Sequence, residues 1–310
     1  MGETITVLSP GSVANVGCGF DMMGFALNGM GDRFTLGKNP SGKLRIQSIS
    51  GFSNQISLDP EKNTAGVALL SMCKFLGIDP GFSIDIEKMS PVGSGLGSSA
   101  SSTTAAVFAL NEFLGCPIKE KKDLMPFALQ GESLASGCFH ADNVAPSLLG
   151  GFLVISSLKP LRLISIPIPA DLEVILIHPH LEILTKMARG LVPQTVPLTK
   201  VTQQMGYLAT FIMGMVNSDQ NLIRESIEDL LAEPYRAHLI PGYYEVKKKA
   251  LEMGAVGCSI SGSGPTLFAL VDKNIDRGKI LLAMKQEFKK FGVESDTYLP
   301  GFNFTGVVAV

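Results

Sequence analysis

Residues 91–102 read Pro91-Val92-Gly93-Ser94-Gly95-Leu96-Gly97-Ser98-Ser99-Ala100-Ser101-Ser102, between a strand-like alternation at Phe82–Glu87 and a helical segment at Ser99–Leu114. Glycine at every second position lets the backbone turn its N–H groups to one side and removes the Cβ atoms that would keep a ligand away. The helix that follows adds N–H groups without intrahelical partners and the positive end of its dipole, so the junction suits an anion. The serine hydroxyls can donate to phosphate oxygens or coordinate a hard cation. Two common phosphate-binding patterns are excluded. Gly97 is followed by Ser98 where a Walker loop needs lysine, and the glycines are spaced by two where the dinucleotide fingerprint needs Gly-x-Gly-x-x-Gly. A flexible Gly/Ser linker would not sit between a strong strand and an uninterrupted helix.

Upstream of this loop, β-type runs at Thr4–Leu8, Arg33–Leu36 and Lys43–Ser48 are broken by Gly, Pro, Asn and Ser, which predicts a twisted, partly antiparallel sheet. Thr64–Leu76 carries apolar residues at helical spacing and stops at Gly77, a C′ glycine. A helix over Lys122–Ser136 has a basic start that opposes the dipole, placing its beginning nearer Asp123. Beyond Gly150-Gly151 the pattern restarts with strands at Phe152–Ser156 and Leu172–Ile177. Helices are expected near Glu182–Ala188, Lys200–Val216, Leu222–Leu231 and Tyr243–Met253, then strands at Ala255–Ser261 and Thr266–Val271, and a helix at Arg277–Phe291. Strands, helices and strands in that order indicate an α+β fold.

A chain of 310 residues exceeds one ordinary core and suggests two closely packed domains with a cleft, here divided as 1–165 and 166–310. Apolar residues at 45% and charged ones at 17% describe a packed globule and exclude a disordered binder. The balance of 26 Lys and Arg against 28 Asp and Glu provides no basic field for nucleic acid or an anionic membrane, so the partner is expected to be small. Cys18, Cys73, Cys116, Cys138 and Cys258 form no Cys-x-x-Cys pair and read as reduced thiols without a structural zinc. The first residues lack the features of a secretory leader, and no run of 18 apolar residues occurs, so the expected location is cytoplasmic.

The pattern Pro-x-Gly-x-Gly-Leu-Gly-Ser-Ser-Ala resembles the ATP-binding motif of the GHMP kinases, a superfamily that includes galactokinase, homoserine kinase and mevalonate kinase. Two further segments resemble its other motifs in the expected order: Ser9-Pro-Gly-Ser-Val-Ala-Asn15-Val-Gly-Cys-Gly-Phe-Asp21, and Ser261-Gly-Ser-Gly-Pro-Thr266. Ala14–Asp21, with His140-Ala-Asp-Asn143-Val-Ala-Pro and Gly150-Gly151, is similar to the homoserine kinase branch in particular. Cys18 departs from the branch pattern, where proline is expected, and Ser101-Ser102-Thr103-Thr104 replaces a run richer in alanine. The resemblance implies an N-terminal ATP-binding domain like domain 2 of ribosomal protein S5, a C-terminal ferredoxin-like domain that completes the substrate site, and a homodimer. It implies ATP, Mg²⁺ and L-homoserine as cofactors and substrate, with O-phospho-L-homoserine as product. A GHMP kinase for another alcohol, of mevalonate or sugar type, and a non-catalytic ATP-binding sensor are the alternatives.

The same resemblance assigns roles. Pro91, Gly93, Ser94, Gly95, Leu96, Gly97, Ser98, Ser99 and Ser101 would hold the nucleotide, with Asn63-Thr64 and Ile56-Ser57 near the adenine through backbone groups. Lys88 either neutralises phosphate or ends a strand. Ser99 and Glu132 would be the Mg²⁺ ligands. Glu132 would otherwise be a solvated helix residue, but Gly131, Ser133, Ala135 and Ser136 give it a small-sided face. Homoserine is a zwitterion, so Arg189 and Arg236 would clamp its carboxylate while Asn15 and Asp21 receive its ammonium. His140 would lie beside the substrate and not on a metal; Gly262 and Ser263 would serve both a turn and the site. Asp142 and Asn143 offer a base and a hydroxyl-orienting amide side by side. The expectation here is that Asn143 contacts the hydroxyl and Asp142 supports it, because a loose transition state asks little of a base.

Overall fold

The computed structural model describes residues 4–52, 56–136 and 140–310, with Ala135 and Ser136 described in their backbone only. Cys138 lies outside these residues. The first half runs β1 (Thr4–Ala14), β2 (Met23–Lys38), β3 (Arg45–Gly51), α1 (Thr64–Leu76), β4 (Phe82–Lys88), α2 (Ser98–Phe113), α3 (Met125–Ser136), α4 (Ala141–Leu149), β5 (Phe152–Leu158) and β6 (Leu161–Ile166). The second half runs β7 (Leu172–Pro179), α5 (Thr185–Gly190), α6 (Leu198–Asn217), α7 (Gln220–Ser226), α8 (Glu233–Arg236), α9 (Tyr243–Glu252), β8 (Gly257–Ile260), β9 (Leu267–Asp272), α10 (Arg277–Lys290), β10 (Ser295–Tyr298) and β11 (Val308–Ala309). Among the described residues no helix is long and apolar enough to cross a membrane.

Among the described residues seven strands form the first sheet, with the path β11-β1-β2-β4-β3 and β5 and β6 branching from β2. Among the described residues β3 and β4, joined through α1, pair in parallel and the other pairs of this sheet are antiparallel. Strand β2 is unbroken across Gly24, Asn28, Gly29 and Gly31, whereas the sequence suggests a strand only at Arg33–Leu36. A register shift between Pro10 and Ser12 on β1 absorbs the irregularity, and Gly29 and Gly31 take positive φ. Four strands in the order β10-β7-β9-β8 form the second sheet, the ferredoxin-like βαββαβ arrangement. The division expected at residue 166 falls at the last residue of β6, and the end of the chain returns to the first sheet through Leu27 opposite Phe302 and through β11 beside β1.

Among the described residues three cores follow from strand alternation. One fills the space between the first sheet and α1–α4, with Phe34, Leu69, Ile84 and Leu110 at its centre. On β7, Ile175 and Ile177 face a core under α9 and α10, while Val174 and Leu176 face the opposite side. That opposite side is shared: Val174, Leu176, Phe268 and Phe211 meet Phe25, Phe152 and Leu96 of the first half. The cleft between the halves is therefore floored by one continuous core.

Some expected elements change. α7 stops at Ser226, short of the expected Leu231, because the Asp229 carboxylate accepts from the backbone N–H groups of Leu231 (2.7 Å), Ala232 (2.8 Å) and Glu233 (2.9 Å) and turns the chain into α8. α3 begins at Met125 after a 3₁₀ turn at Lys121–Leu124, and α5 runs Thr185–Gly190, overlapping the expected Glu182–Ala188 but shifted toward the C-terminus. Helix α4 is new to the sequence reading; Pro146 sits inside it. The polar run that departs from the alanine-rich pattern is used internally: Thr104 Oγ1 lies 2.7 Å from Ser9 Oγ and 2.9 Å from Ser147 Oγ, all three buried.

Candidate active site

The 91–102 loop runs from the end of β4 to the start of α2, and Gly93, Gly95 and Gly97 have φ of 68°, 80° and 65°. For Gly95 and Gly97 the demand is also one of space. A Cβ at Gly95 would collide with the Ser261 carbonyl, and one at Gly97 with Ser12 Oγ. Helix α1 is capped by Asn63, whose Oδ1 accepts from Ala65 N at 3.0 Å and Gly66 N at 3.3 Å. Helix α2 has Gly97 at its N-cap and no side-chain cap, so its first N–H groups are left for another acceptor. Beside them Ser98 Oγ is buried without a hydrogen-bond partner among the described residues.

The turn at Ser261–Thr266 laces this loop to the first motif. Ser261 Oγ donates to Gly95 O (2.7 Å), Thr266 N to Ser94 O (3.1 Å) and Gly262 N to Ala14 O (3.1 Å). Asn15 Nδ2 donates to Gly262 O at 2.8 Å, and Asn15 Oδ1 accepts from Asp21 N at 3.0 Å. Asn15 and Asp21 both hold left-handed φ, 69° and 58°. Asn15 thus folds the first motif and lines the site at once.

A cavity of about 440 Å³ opens where these segments meet. From the expected set it is lined by Gly93, Ser94, Gly95, Gly97, Ser98 and Ser99 at one end, and by Asn15, Asp21, His140, Arg189 and Arg236 at the other. Glu132, Asp142 and Asn143 line it too, with Gly262 and Ser263. Eight expected residues do not, Ile56, Ser57 and Thr64 among them. Lys88 is only 4% exposed, and its Nζ lies 2.7 Å from each of Asp32 Oδ2, Ser98 O and Ser102 Oγ. Its three donors are all engaged beneath the first turn of α2, so it props the loop and does not reach into the cavity. The Asn63 side chain is occupied by its capping bonds and by the Ser57 carbonyl, 2.9 Å away. Pro91 turns its carbonyl to Ser94 Oγ (2.6 Å), Leu96 is buried in the shared core, and Ser101 Oγ bonds back to Ser98 O at 3.0 Å. These three shape the loop from behind.

Glu132 is 7% exposed, which removes the solvated reading. Burial pushes its carboxyl up to about 7, opposed by a hydrogen bond from Ser99 and the charge of Lys88. Asp142 is likewise raised to about 7, by burial first and then by the charges of Asp21 and Glu132. Buried acids that disfavour ionisation, with a serine hydroxyl bonded to one of them, form an all-oxygen donor set that a hard divalent cation would relieve. Ser99 and Glu132 are already in contact there. Asn143 Oδ1 accepts from Ser12 Oγ at 2.8 Å, which leaves its amide N–H₂ as the group it can offer a ligand.

At the far end Arg189 grips Asp21 in bidentate fashion, Nη1 to Oδ1 at 2.9 Å and Nη2 to Oδ2 at 2.6 Å. His140 Nδ1 stands 3.4 Å from Asp21 Oδ1. Burial lowers the His140 pKa, against the raising effect of Asp21, so its neutral form is favoured. Arg236 donates from Nε to Ala188 O (3.3 Å) and from Nη1 to Gly262 O (3.0 Å). Residues expected to grip opposite ends of a zwitterion, Asp21 and Arg189, here hold each other.

Sequence reasoning missed Glu182, Thr185 and Lys186, which line the wall between β7 and α5, where no spacing or motif marks them. It also missed Ser12, although this residue lies inside the first motif, and Phe20 beside the two arginines.

Comparison with known proteins establishes the family. Residues 63–151 match the family model "GHMP kinases N terminal domain", and residues 208–290 match "GHMP kinases C terminal". A homoserine kinase of Chloroherpeton thalassium is 42% identical over 307 residues, 96% of each chain. One from Xylella fastidiosa is 37% identical over 94% of this chain and 89% of its own. The crystal structure of a homoserine kinase from Cytophaga hutchinsonii superposes with a TM-score of 0.93 at 43% identity, over 100% of this chain and 98% of that one. Galactokinase of Lactococcus lactis, at 16% identity and a TM-score of 0.69, shares the fold. On these matches, and on a phosphate-type loop joined to a charged pocket by three laced motifs, the chain belongs to the homoserine kinase family of the GHMP kinases.

Proposed function

We propose that the enzyme transfers the γ-phosphoryl group of ATP to the side-chain hydroxyl of L-homoserine, giving ADP and O-phospho-L-homoserine, a step of threonine biosynthesis. The observation that carries this reading is a single cavity with an uncapped helix start and glycine cradle at one end and Asp21, Arg189 and Arg236 at the other. Phosphates belong at the first end and a zwitterionic amino acid at the second. Arg236, with three of its five N–H donors beyond its two carbonyl bonds, is the principal seat for the α-carboxylate, and Arg189 joins it by sharing Asp21 with the incoming ammonium. Asn15 and neutral His140 supply acceptors beside that ammonium.

Ser99 and Glu132 would hold Mg²⁺, which would supply positive charge against the negative charge that develops during phosphoryl transfer. Asn143, held by Ser12, donates to the substrate hydroxyl oxygen and orients it toward the cradle. Asp142, on the preceding residue of α4, keeps a carboxyl near its titration midpoint at neutral pH and supports that orientation. A homodimer belongs to the same proposal, supported by the solvent-facing Leu198, Met205, Met213 and Val216 along α6. The test is coupled ADP release on a panel of homoserine, mevalonate, galactose, serine and threonine. Homoserine is expected to stimulate release strongly, and only with Mg²⁺ present. Equal or greater stimulation by mevalonate or galactose would overturn the substrate reading.

A further inference from the structure

Two guanidinium groups converge on one end of the cavity, and like charges in a partly buried site push apart unless something holds them together. Arg189 is steadied by Asp21 and Arg236 by two backbone carbonyls. Neither set of contacts fixes one guanidinium relative to the other. Phe20 does. Its ring centroid lies 5.1 Å from Arg189 Cζ and 5.3 Å from Arg236 Cζ, so one aromatic face system serves both cations. The ring is placed by the backbone of the first motif, where Gly19 N bonds to Asn15 O at 2.9 Å and Asp21 N to Asn15 Oδ1 at 3.0 Å. Asn15, Phe20 and Asp21 therefore arrive as one rigid turn.

We infer that Phe20 is a positioning residue for the acceptor substrate: its ring holds Arg189 and Arg236 as a pair spaced to take one carboxylate between them. The inference rests on the substrate reading above and adds to it the reason an aromatic residue stands at this position. The ring contributes nothing to phosphate binding or to the hydroxyl, both of which lie at the other end of the cavity. Its loss must then fall on carboxylate recognition alone.

Steady-state kinetics of Phe20→Leu, Phe20→Tyr and the parent enzyme test this, with homoserine and with 3-aminopropan-1-ol, which keeps the amine and hydroxyl and lacks the carboxylate. The expected result is that Phe20→Leu raises the KM for homoserine about tenfold, or about 1.4 kcal/mol. Its kcat and its KM for ATP should stay unchanged, and Phe20→Tyr should remain within about twofold of the parent because the ring face is retained. The kcat/KM for 3-aminopropan-1-ol, low in the parent, should not fall further in Phe20→Leu. An unchanged homoserine KM, an equal loss with the carboxylate-free alcohol, or a tyrosine variant as impaired as the leucine one would overturn the inference. If Phe20→Leu does not fold, Phe20→Met is read by the same criteria, since it keeps bulk without a ring face. A parent enzyme that turns over no homoserine would instead remove the substrate reading, and the inference with it.

Discussion

Asp142 and Glu132 are two buried acids with similar raised pKa values and different neighbours, and the neighbours separate their roles. Glu132 has a serine hydroxyl and a lysine charge beside it, the surroundings of a carboxylate that must ionise to bind a cation. Asp142 has two other acids beside it, which make it a poor permanent anion. Replacing Glu132 by Gln should therefore lower kcat by at least about a hundredfold, while Asp142→Asn should stay within about tenfold of the parent. If Asp142→Asn lost as much rate as omission of Mg²⁺, Asp142 would be the general base and Asn143 only its support. Stability carries a second signature. An acid raised from 3.8 to about 7 keeps its proton in the folded state where the unfolded chain has lost it, so the folded state binds more protons across about pH 4 to 7. Stability from this group falls as pH rises through that window. In metal-free protein, the Tm of Asp142→Asn minus that of the parent should grow between pH 5 and pH 8; a difference that shrinks or stays flat would contradict the burial of Asp142.

Helix α2 and the loop before it act as one element because Gly97 is both N-cap and contact surface. A Cβ there would meet Ser12 Oγ and stand 2.9 Å from Asn143 Oδ1, the bonded pair that presents the Asn143 amide. Gly97→Ala adds a left-handed strain of about 1–2 kcal/mol and drives those two side chains from their positions. It should cut kcat by more than about a hundredfold, with far-ultraviolet circular dichroism unchanged; near-normal kcat would show that loop and acceptor site are not coupled through this contact. Elements of this kind differ in how far the sequence discloses them. α1 was legible to both ends because its apolar spacing and its Gly77 stop are local, while Asn63, read as a nucleotide contact, turns out to be its cap. α4 was not, since Pro146 in its middle argues against a helix, and only the packing of Val144, Ala145 and Leu148 into the first core overrides that. The loop at 91–102 was legible as an anion cradle, but which of its residues face the ligand was not: Leu96 turns away into a core built with distant segments, and Ser101 Oγ turns back to its own helix at Ser98 O.

At the scale of the molecule, the contacts that assemble the site join residues far apart in sequence. Lys88 with Asp32, Arg189 with Asp21, and Ser261 with Gly95 have no local signature. The lysine shows the consequence: its type and place fitted a phosphate ligand, and only Asp32, a residue on β2 with no exposure, shows what its charge balances. Lys88→Met should leave Asp32 buried and unpaired, at a cost of about 3–5 kcal/mol; a urea midpoint unmoved by the substitution would refute that balance. We propose the domain division between Ile166 and Leu172, with residues from Phe302 onward assigned to the first domain, since they pair with β1 and β2. Val307 tests both the assignment and the coupling between domains. It is fully buried in the core of the first domain, and its carbonyl accepts from Lys121 Nζ at 2.6 Å. Val307→Asp would place a carboxylate among Leu148-type neighbours, costing about 3–5 kcal/mol and about 10 °C in Tm for a protein of this size. Because Phe25, Phe152 and Leu96 share a core with Val174, Phe211 and Phe268, the second domain should lose its structure in the same transition. The chain has no tryptophan, so circular dichroism and calorimetry are the probes. One shifted, cooperative transition is expected. Two separated transitions, with only the first displaced, would show that the shared core does not bind the halves into one unit and that the cleft between them opens at lower cost than its packing implies.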